Sequence, residues 1–224
     1  MKHVILVAAI LISGITTAQN PIEKSIGDFT ELKVYDLIEV ELVNAKENKV
    51  VITGNNSEDV LINNKNGTLK IKMNIEKIFD GSKTKVVLYY KAIDIIDVNE
   101  GAKAYSKEAI KQYDLNLRAQ EGGSIDVPVN VKYMTVKAVT GGKIKSSGTC
   151  ESQNVSLLTG GVYSGEALET EKSDVTINAA GEAHVNATKL VDVKIRAGGD
   201  VYIYGNPETV NESKVLGGRI SRVN

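Results

Sequence analysis

Tryptophan is absent from the 224 residues, cysteine occurs once, proline three times and phenylalanine twice. One cysteine excludes an internal disulfide framework, so any core must be packed without covalent staples. Lys and Arg total 27 against 28 Asp and Glu, a formal net charge of −1. That balance excludes the basic surplus a phosphate backbone demands, so no nucleic-acid partner is expected. The lack of Trp and Phe also removes the usual platforms for stacked bases. Two histidines and one cysteine give no metal-ligand spacing, and no phosphate loop or nucleophile elbow occurs. Glycine, at 20, is plentiful, and 42% of the residues are hydrophobic. These are the proportions of a folded chain with many turns, not of a disordered one.

The first residues order themselves as a targeting signal. Met1-Lys2-His3 is basic, Val4 to Ile12 is apolar, and Thr16-Thr17-Ala18 is small. This reads as a secretory signal peptide over residues 1–18, cleaved after Ala18. The apolar run is shorter than the roughly 20 residues a membrane span needs, so the mature chain is expected to carry no span. Cleavage removes Lys2 and no acid, which leaves a mildly acidic exported protein, periplasmic or at the cell surface.

Beyond residue 95 an alternating apolar–polar stretch ending in Gly keeps returning. It appears as Leu115-Asn116-Leu117-Arg118-Ala119-Gln120-Glu121-Gly122-Gly123, as Met134-Thr135-Val136-Lys137-Ala138 before Gly141-Gly142, and as Val155-Ser156-Leu157-Leu158-Thr159-Gly160-Gly161. The last glycine of each unit falls at 101, 123, 142, 161, 181, 199 and 218. Alternation places Val98, Leu117, Val136, Leu157, Ile177 and Ile195 on an inward face. A unit of this length cannot bury its own apolar side, but stacked units can. The predicted fold is all-β: a right-handed parallel β-helix, or β-solenoid, of about seven Gly-cornered rungs. A β-sandwich is the competing architecture, since its strands also recur at short spacing.

Residues 28–92 alternate less regularly, with Asn66-Gly67 marking a tight turn. They predict irregular opening strands, either first coils or a cap. No linker separates them from the repeats at 93–224, so residues 19–224 read as one domain. Phe29, Ile38-Glu39-Val40-Glu41-Leu42, Val51-Ile52-Thr53-Gly54-Asn55 and Asn66-Gly67-Thr68-Leu69-Lys70-Ile71 together resemble the head GIN domain family of auto-transporter adhesins. Val201-Tyr202-Ile203-Tyr204-Gly205-Asn206-Pro207 and Gly217-Gly218-Arg219-Ile220 are similar to that family's final rungs. The resemblance spans residues 29 to 222 and implies a Bacteroidetes-type exported β-helix protein with an adhesin-like role. No membrane-barrel pattern of strands follows the last rung, so self-export is not expected.

Four sets of residues invite a chemical reading. Glu100 and Glu121 stand before equivalent glycines with Asp126 nearby, which raises the alternative of a polysaccharide hydrolase or lyase. Gly198-Gly199-Asp200 and Gly122-Gly123-Ser124-Ile125-Asp126 faintly resemble calcium coils, but Lys143, Val162 and Glu182 interrupt the acidic row. Cys150 with His184 would form a nucleophilic pair only by a chance meeting. The fourth set is an outward polar row of Asn116, Thr135, Ser156 and Thr176 flanked by Arg118, Lys137, Asn178 and Arg196. Such hydroxyl, amide and guanidinium groups suit a glycan or an envelope or surface protein as partner. No catalytic residue, metal ligand or cofactor is assigned. The reading is a non-enzymatic exported binding or structural protein, with homo-oligomers possible through an open end coil.

Overall fold

A four-residue turn fixes the geometry of each coil in this computed structural model, which describes residues 20–223. The targeting segment read over residues 1–18 lies outside them. In Gln120-Glu121-Gly122-Gly123 the Gly123 N–H donates to the Gln120 carbonyl at 2.8 Å, and the two central residues have φ of 51° and 76°. Two successive left-handed residues are the signature of the type I′ class. Glu100-Gly101, Thr140-Gly141 and Thr159-Gly160 repeat the pair, and Asp36-Leu37 adopts it without glycine at 58° and 62°. In the last three corners the pair moves one residue on, to Ala180-Gly181, Gly198-Gly199 and Gly217-Gly218.

The two glycines of one corner serve different needs. A Cβ on Gly141 would meet nothing within 4 Å, so its φ of 71° is what calls for glycine there. A Cβ on Gly142 would sit 2.1 Å from the Ala119 carbonyl oxygen one coil earlier. The second glycine therefore lets two backbones approach each other. Its place in the first corner is taken by Ala102, because Lys103 pairs with Ser124. The equivalent of Gly123 is thus Ala102, not the Gly101 that the sequence pattern suggests.

The strands in chain order are β1 (Ile22–Ser25), β2 (Glu31–Val34), β3 (Glu39–Asn44), β4 (Lys49–Gly54), β5 (Val60–Lys65), β6 (Thr68–Met73), β7 (Thr84–Tyr90), β8 (Ile95–Val98) and β9 (Lys103–Ser106). Longer ones follow: β10 (Ile110–Gln120), β11 (Ser124–Val139), β12 (Lys143–Leu158), β13 (Gly161–Ile177) and β14 (Gly181–Ala197). β15 (Asp200–Tyr204), β16 (Thr209–Leu216) and β17 (Arg219–Arg222) end the described chain. Each long strand serves two sheets. Thus β11 pairs through Ser124 to Asp126 with β9 and through Val129 to Val139 with β10, always in parallel. Between the halves the alternation breaks, with Lys132 and Tyr133 both exposed. This is a second corner, opposite the glycine turn.

The result is a two-sheet β-solenoid of about seven Gly-cornered turns. The first sheet holds β6, β2 and β8, then residues 115–120, 134–139, 153–158, 173–177 and 190–197, then β16. The second holds β7, β3 and β9, then residues 124–131, 143–150, the first parts of β13 and β14, and finally β15 and β17. The opening strands are both coils and cap. The β2–β3 coil lies between β6–β7 and β8–β9, out of chain order. Antiparallel β5 covers the edge of β6, while β4 covers β7 and β1 covers β4.

One cluster of buried side chains runs from Phe29 to Ile203, with every inward residue named above at 1% exposure or less. The last coil differs. Glu212 and Lys214 stand in register with inward Val193 and Ile195, and Arg222 with Ile203. Charges turned inward at an edge oppose continued strand addition. Midway along the solenoid the interior also turns polar: Tyr163 donates to Gln153 Oε1 at 2.7 Å, and Gln153 Nε2 to Ser173 Oγ at 2.9 Å. Ser173 and Thr170 hydroxyls meet at 3.0 Å.

Candidate binding surface

Parallel pairing places seven of the eight residues of the predicted polar row on the outer side of the first sheet, with Asn178 just past the end of β13, and they do not form one row. Asn116 and Thr135 pair, and the row continues through Asn154, Asp174 and Asp192. Ser156 and Thr176 belong instead with Arg118, Lys137 and Lys194. Asn178 and Arg196 follow the paired Ile177 and Ile195, next to the glycine corner. The cause is register. Matching the first apolar residue of each unit displaces Ser156 by two positions, whereas counting back from the glycine corner aligns Thr135 with Asn154. Leu157, Ile177 and Ile195 likewise align with Ala119 and Ala138 rather than with Leu117 and Val136.

Where this face meets the second corner, the sheet presents two tyrosines. The break in alternation leaves Tyr113 65% and Tyr133 38% exposed, with ring centroids 5.3 Å apart and planes at 76°. Lys132 Nζ lies 5.7 and 5.6 Å from the two centroids and 3.5 Å from Glu151. Beside Tyr113 opens a groove of about 460 Å³ lined by Asp94, Ile95, Gln112, Asp114, Asn116 and Thr135. Arg118 Nε donates to Asn116 Oδ1 at 3.2 Å, so that amide oxygen is already an acceptor. The predicted set contained Asn116 and Thr135 but neither tyrosine.

The outer side of the second sheet holds many of its charges in pairs. Its groove of about 470 Å³ is lined by Glu39, Lys103, Tyr105, Asp126, Lys143 and Lys145 among others. Lys85 pairs with Glu39 at 3.0 Å, and Tyr105 donates to Glu41 at 3.1 Å. Further along, His184 stacks on Tyr202 at 4.6 Å and contacts Glu182 at 3.0 Å and the Tyr204 hydroxyl at 3.1 Å. Arg219 reaches Asp200 at 3.1 Å and the Tyr202 hydroxyl at 3.2 Å. Rings and charges in this column already satisfy each other.

The other chemical candidates dissolve on inspection of their surroundings. Glu121 is exposed at a corner, whereas Asp126 stands on the outer side of the second sheet. Glu100 lines a groove of about 320 Å³ with Tyr35, Asp36, Lys70 and Lys72. Burial, and then the charge of Asp36, hold its carboxyl above the usual range. Asp36, however, is a structural clamp whose oxygens accept from the Met73 N–H at 3.0 Å and the Phe79 N–H at 3.4 Å. Asp200 is tied to Arg219, and no group of three or more His, Cys, Asp or Glu able to hold a metal ion occurs among the described residues. Cys150 is buried, its Sγ against the carbonyls of Ser152 at 3.1 Å and Lys132 at 3.6 Å. Burial pushes that thiol up to about 11, and His184 stands on the outer side of the second sheet with other partners.

The family described as "Putative auto-transporter adhesin, head GIN domain" matches residues 28–207. The chain belongs to this family. A crystal structure titled a putative adhesin from Bacteroides fragilis is similar with a TM-score of 0.84 at 16% identity, over 91% of this chain and 96% of that one. Another, a putative adhesin from Parabacteroides distasonis, gives 0.72 at 18% identity over 91% and 96%. A third, titled a putative lipid binding protein from the same species, gives 0.67 at 19% over 92% and 98%. At these identities the likeness is one of fold. No curated protein matches the chain.

Proposed function

We propose that this head GIN protein is an exported binding protein of the adhesin type, which holds a partner at the cell envelope or surface without transforming it. The observation that carries the reading is the exposed Tyr113–Tyr133 pair beside a polar groove, on an outer face otherwise made of small polar and charged side chains. Large rings left in water at a concavity are unusual unless something covers them. The signal-like residues 1–18 support export, with cleavage near Ala18 and a periplasmic or surface destination. In contrast, hydrolysis of a glycosidic bond asks for a desolvated acid close to a second carboxylate in a substrate groove. Where a desolvated acid does stand beside a second carboxylate, at Glu100 and Asp36, the Asp36 oxygens are taken up by the Met73 and Phe79 N–H groups.

A screen of the mature chain against glycans and purified envelope proteins, with hydrolysis followed in parallel, tests this reading. Binding without turnover is expected. Polysaccharide cleavage that is lost in Glu121→Gln or Glu100→Gln would overturn it in favour of the enzyme.

A second reading rests on a separate feature. The loop after β6 exposes Ile75 by 85%, Phe79 by 58% and Ile78 by 48%, an apolar tip that could enter a lipid surface. One structural relative is named a putative lipid binding protein, which accords with it. Co-sedimentation with phospholipid vesicles, lost in Phe79→Asp, would support this reading; equal co-sedimentation of both chains would remove it.

A further inference from the structure

We infer that the groove at the Tyr113–Tyr133 corner is a docking site for an uncharged glycan chain. This rests on the binding reading above and names its site and ligand class. Three observations converge on it.

The first is how the aromatic rings are used. Tyr90 and Tyr163 are buried in the core. Tyr105, Tyr202 and Tyr204 spend their hydroxyls on Glu41, Arg219 and His184, and Tyr89 lies under Lys49 at 5.1 Å. Tyr113 is the most exposed of the large apolar side chains on the repeats before the last coil, and its one ring partner, Tyr133, meets it edge to face. Its exposure leaves ring surface in water beside Lys132, and the negative face of a π-system attracts the weakly positive C–H groups of a sugar ring.

The second is the groove's polar lining. Asp94 and Asp114 carboxylates, the Gln112 and Asn116 amides and the Thr135 hydroxyl all border it, and Asp94, Asp114 and Thr135 are exposed. Carboxylates accept from hydroxyl groups, and amides both donate and accept, which suits a ligand whose every edge carries hydroxyls. A protein partner would instead want a contiguous apolar centre, and Ile95 is the only aliphatic side chain in the lining.

The third is charge. The lining holds two carboxylates and no cation, and the nearby Lys132 is occupied by Glu151 and the two rings. An anionic polysaccharide would be repelled, whereas an uncharged one would not. The volume of about 460 Å³ lies in the ordinary range for a small-ligand cleft. Successive coils, spaced about 4.8 Å apart, offer polar groups along the row at intervals similar to the length of one sugar residue.

The experiment is isothermal titration of the mature chain with cellohexaose, laminarihexaose, mannohexaose and xylohexaose, with oligogalacturonate as the anionic comparison. The variants are Tyr113→Ala/Tyr133→Ala, Asp114→Asn and, as a control on the other sheet, Tyr202→Ala. Binding of at least one neutral hexasaccharide is expected, weakened tenfold or more in the double variant and severalfold in Asp114→Asn, unchanged in Tyr202→Ala, with no binding of oligogalacturonate. The altered side chains at the corner are exposed, and an unchanged circular-dichroism melt confirms folding. Equal binding by the wild type and the double variant would overturn the corner site and leave the broader reading standing. So would tighter binding of oligogalacturonate than of neutral chains. Failure of every neutral glycan overturns the glycan assignment; a saturable envelope-protein partner would then keep the binding function, and its absence as well would overturn both.

Discussion

Replacing Gly142 by alanine isolates the close packing of one coil on the next, because its neighbour Gly141 supplies the matched comparison. At Gly141 the added methyl would meet open space, so Gly141→Ala costs only the left-handed backbone, about 1 to 2 kcal/mol. Ala180 already carries such a backbone at φ 45°. At Gly142 the methyl would lie 2.1 Å from Ala119 O, 2.5 Å from Ala119 C and 3.1 Å from Gln120 N. All three are main-chain atoms, so no rotamer change relieves the clash, and the coils must part. Forced overpacking alone costs roughly 1 to 3 kcal/mol. Parting also strains the flanking bonds from Lys143 N to Gly123 O at 2.9 Å and from Val162 N to Gly142 O at 3.0 Å. Each is worth about 1 kcal/mol, so Gly142→Ala should lose roughly 3 to 5 kcal/mol. For a chain of this size about 2 to 4 °C of Tm accompanies each kcal/mol. Thermal melts followed by far-ultraviolet circular dichroism should therefore fall on the order of 10 °C or more for Gly142→Ala and only about 2 to 8 °C for Gly141→Ala. Equal melting of the two variants, or a Gly142→Ala melt within about 3 °C of the wild type, would refute the argument from backbone approach.

Three further outcomes follow from single side chains. Tyr163→Phe keeps the ring but leaves Gln153 Oε1 without its donor at 2% exposure, and should cost about 1 to 3 kcal/mol in urea denaturation; a neutral result would mean that the buried polar spine has no energetic role. Cys150, buried and pushed up to about 11, should resist iodoacetamide at pH 8 in the folded chain and react in urea; comparable rates in both states would contradict its placement. Glu100, whose carboxyl is held above its ordinary 4.5, favours the protonated form on folding. Its contribution is therefore complete below the unfolded value and lost as pH rises through the folded one. Glu100→Gln should raise the melting temperature at pH 7 relative to pH 4, and an increment independent of pH would count against the Asp36 contact.

Much of the architecture is visible in the sequence because one physical device repeats. The glycine corner must recur wherever two backbones meet, and alternation then assigns Leu117, Val136, Ile177 and Ile195 to the interior without any structure. The second corner is harder to see. It is built from chain-bending pairs, Tyr113-Asp114 and Lys132-Tyr133, whose only mark is two outward residues in succession. Missing that mark hid the tyrosine pair, although the surrounding Asn116 and Thr135 stood in the predicted set. Rows were misaligned at Ser156 and Thr176 because apolar beginnings are a weaker ruler than the turn itself. The insertion of the β2–β3 coil between β6–β7 and β8–β9 has no local signature at all, since strand partners far apart in the chain are chosen by packing of the whole.

Backbone amide hydrogen exchange of the mature chain, with and without a saturating neutral hexasaccharide, examines the binding surface most directly. The account predicts slower exchange confined to residues 112–116 and 132–135, where the second corner and the outer row of the first sheet meet. Slower exchange centred instead on the loop at 74–80, on the Glu121 corner or on the His184–Tyr202 column would contradict it, as would no change at any neutral glycan concentration.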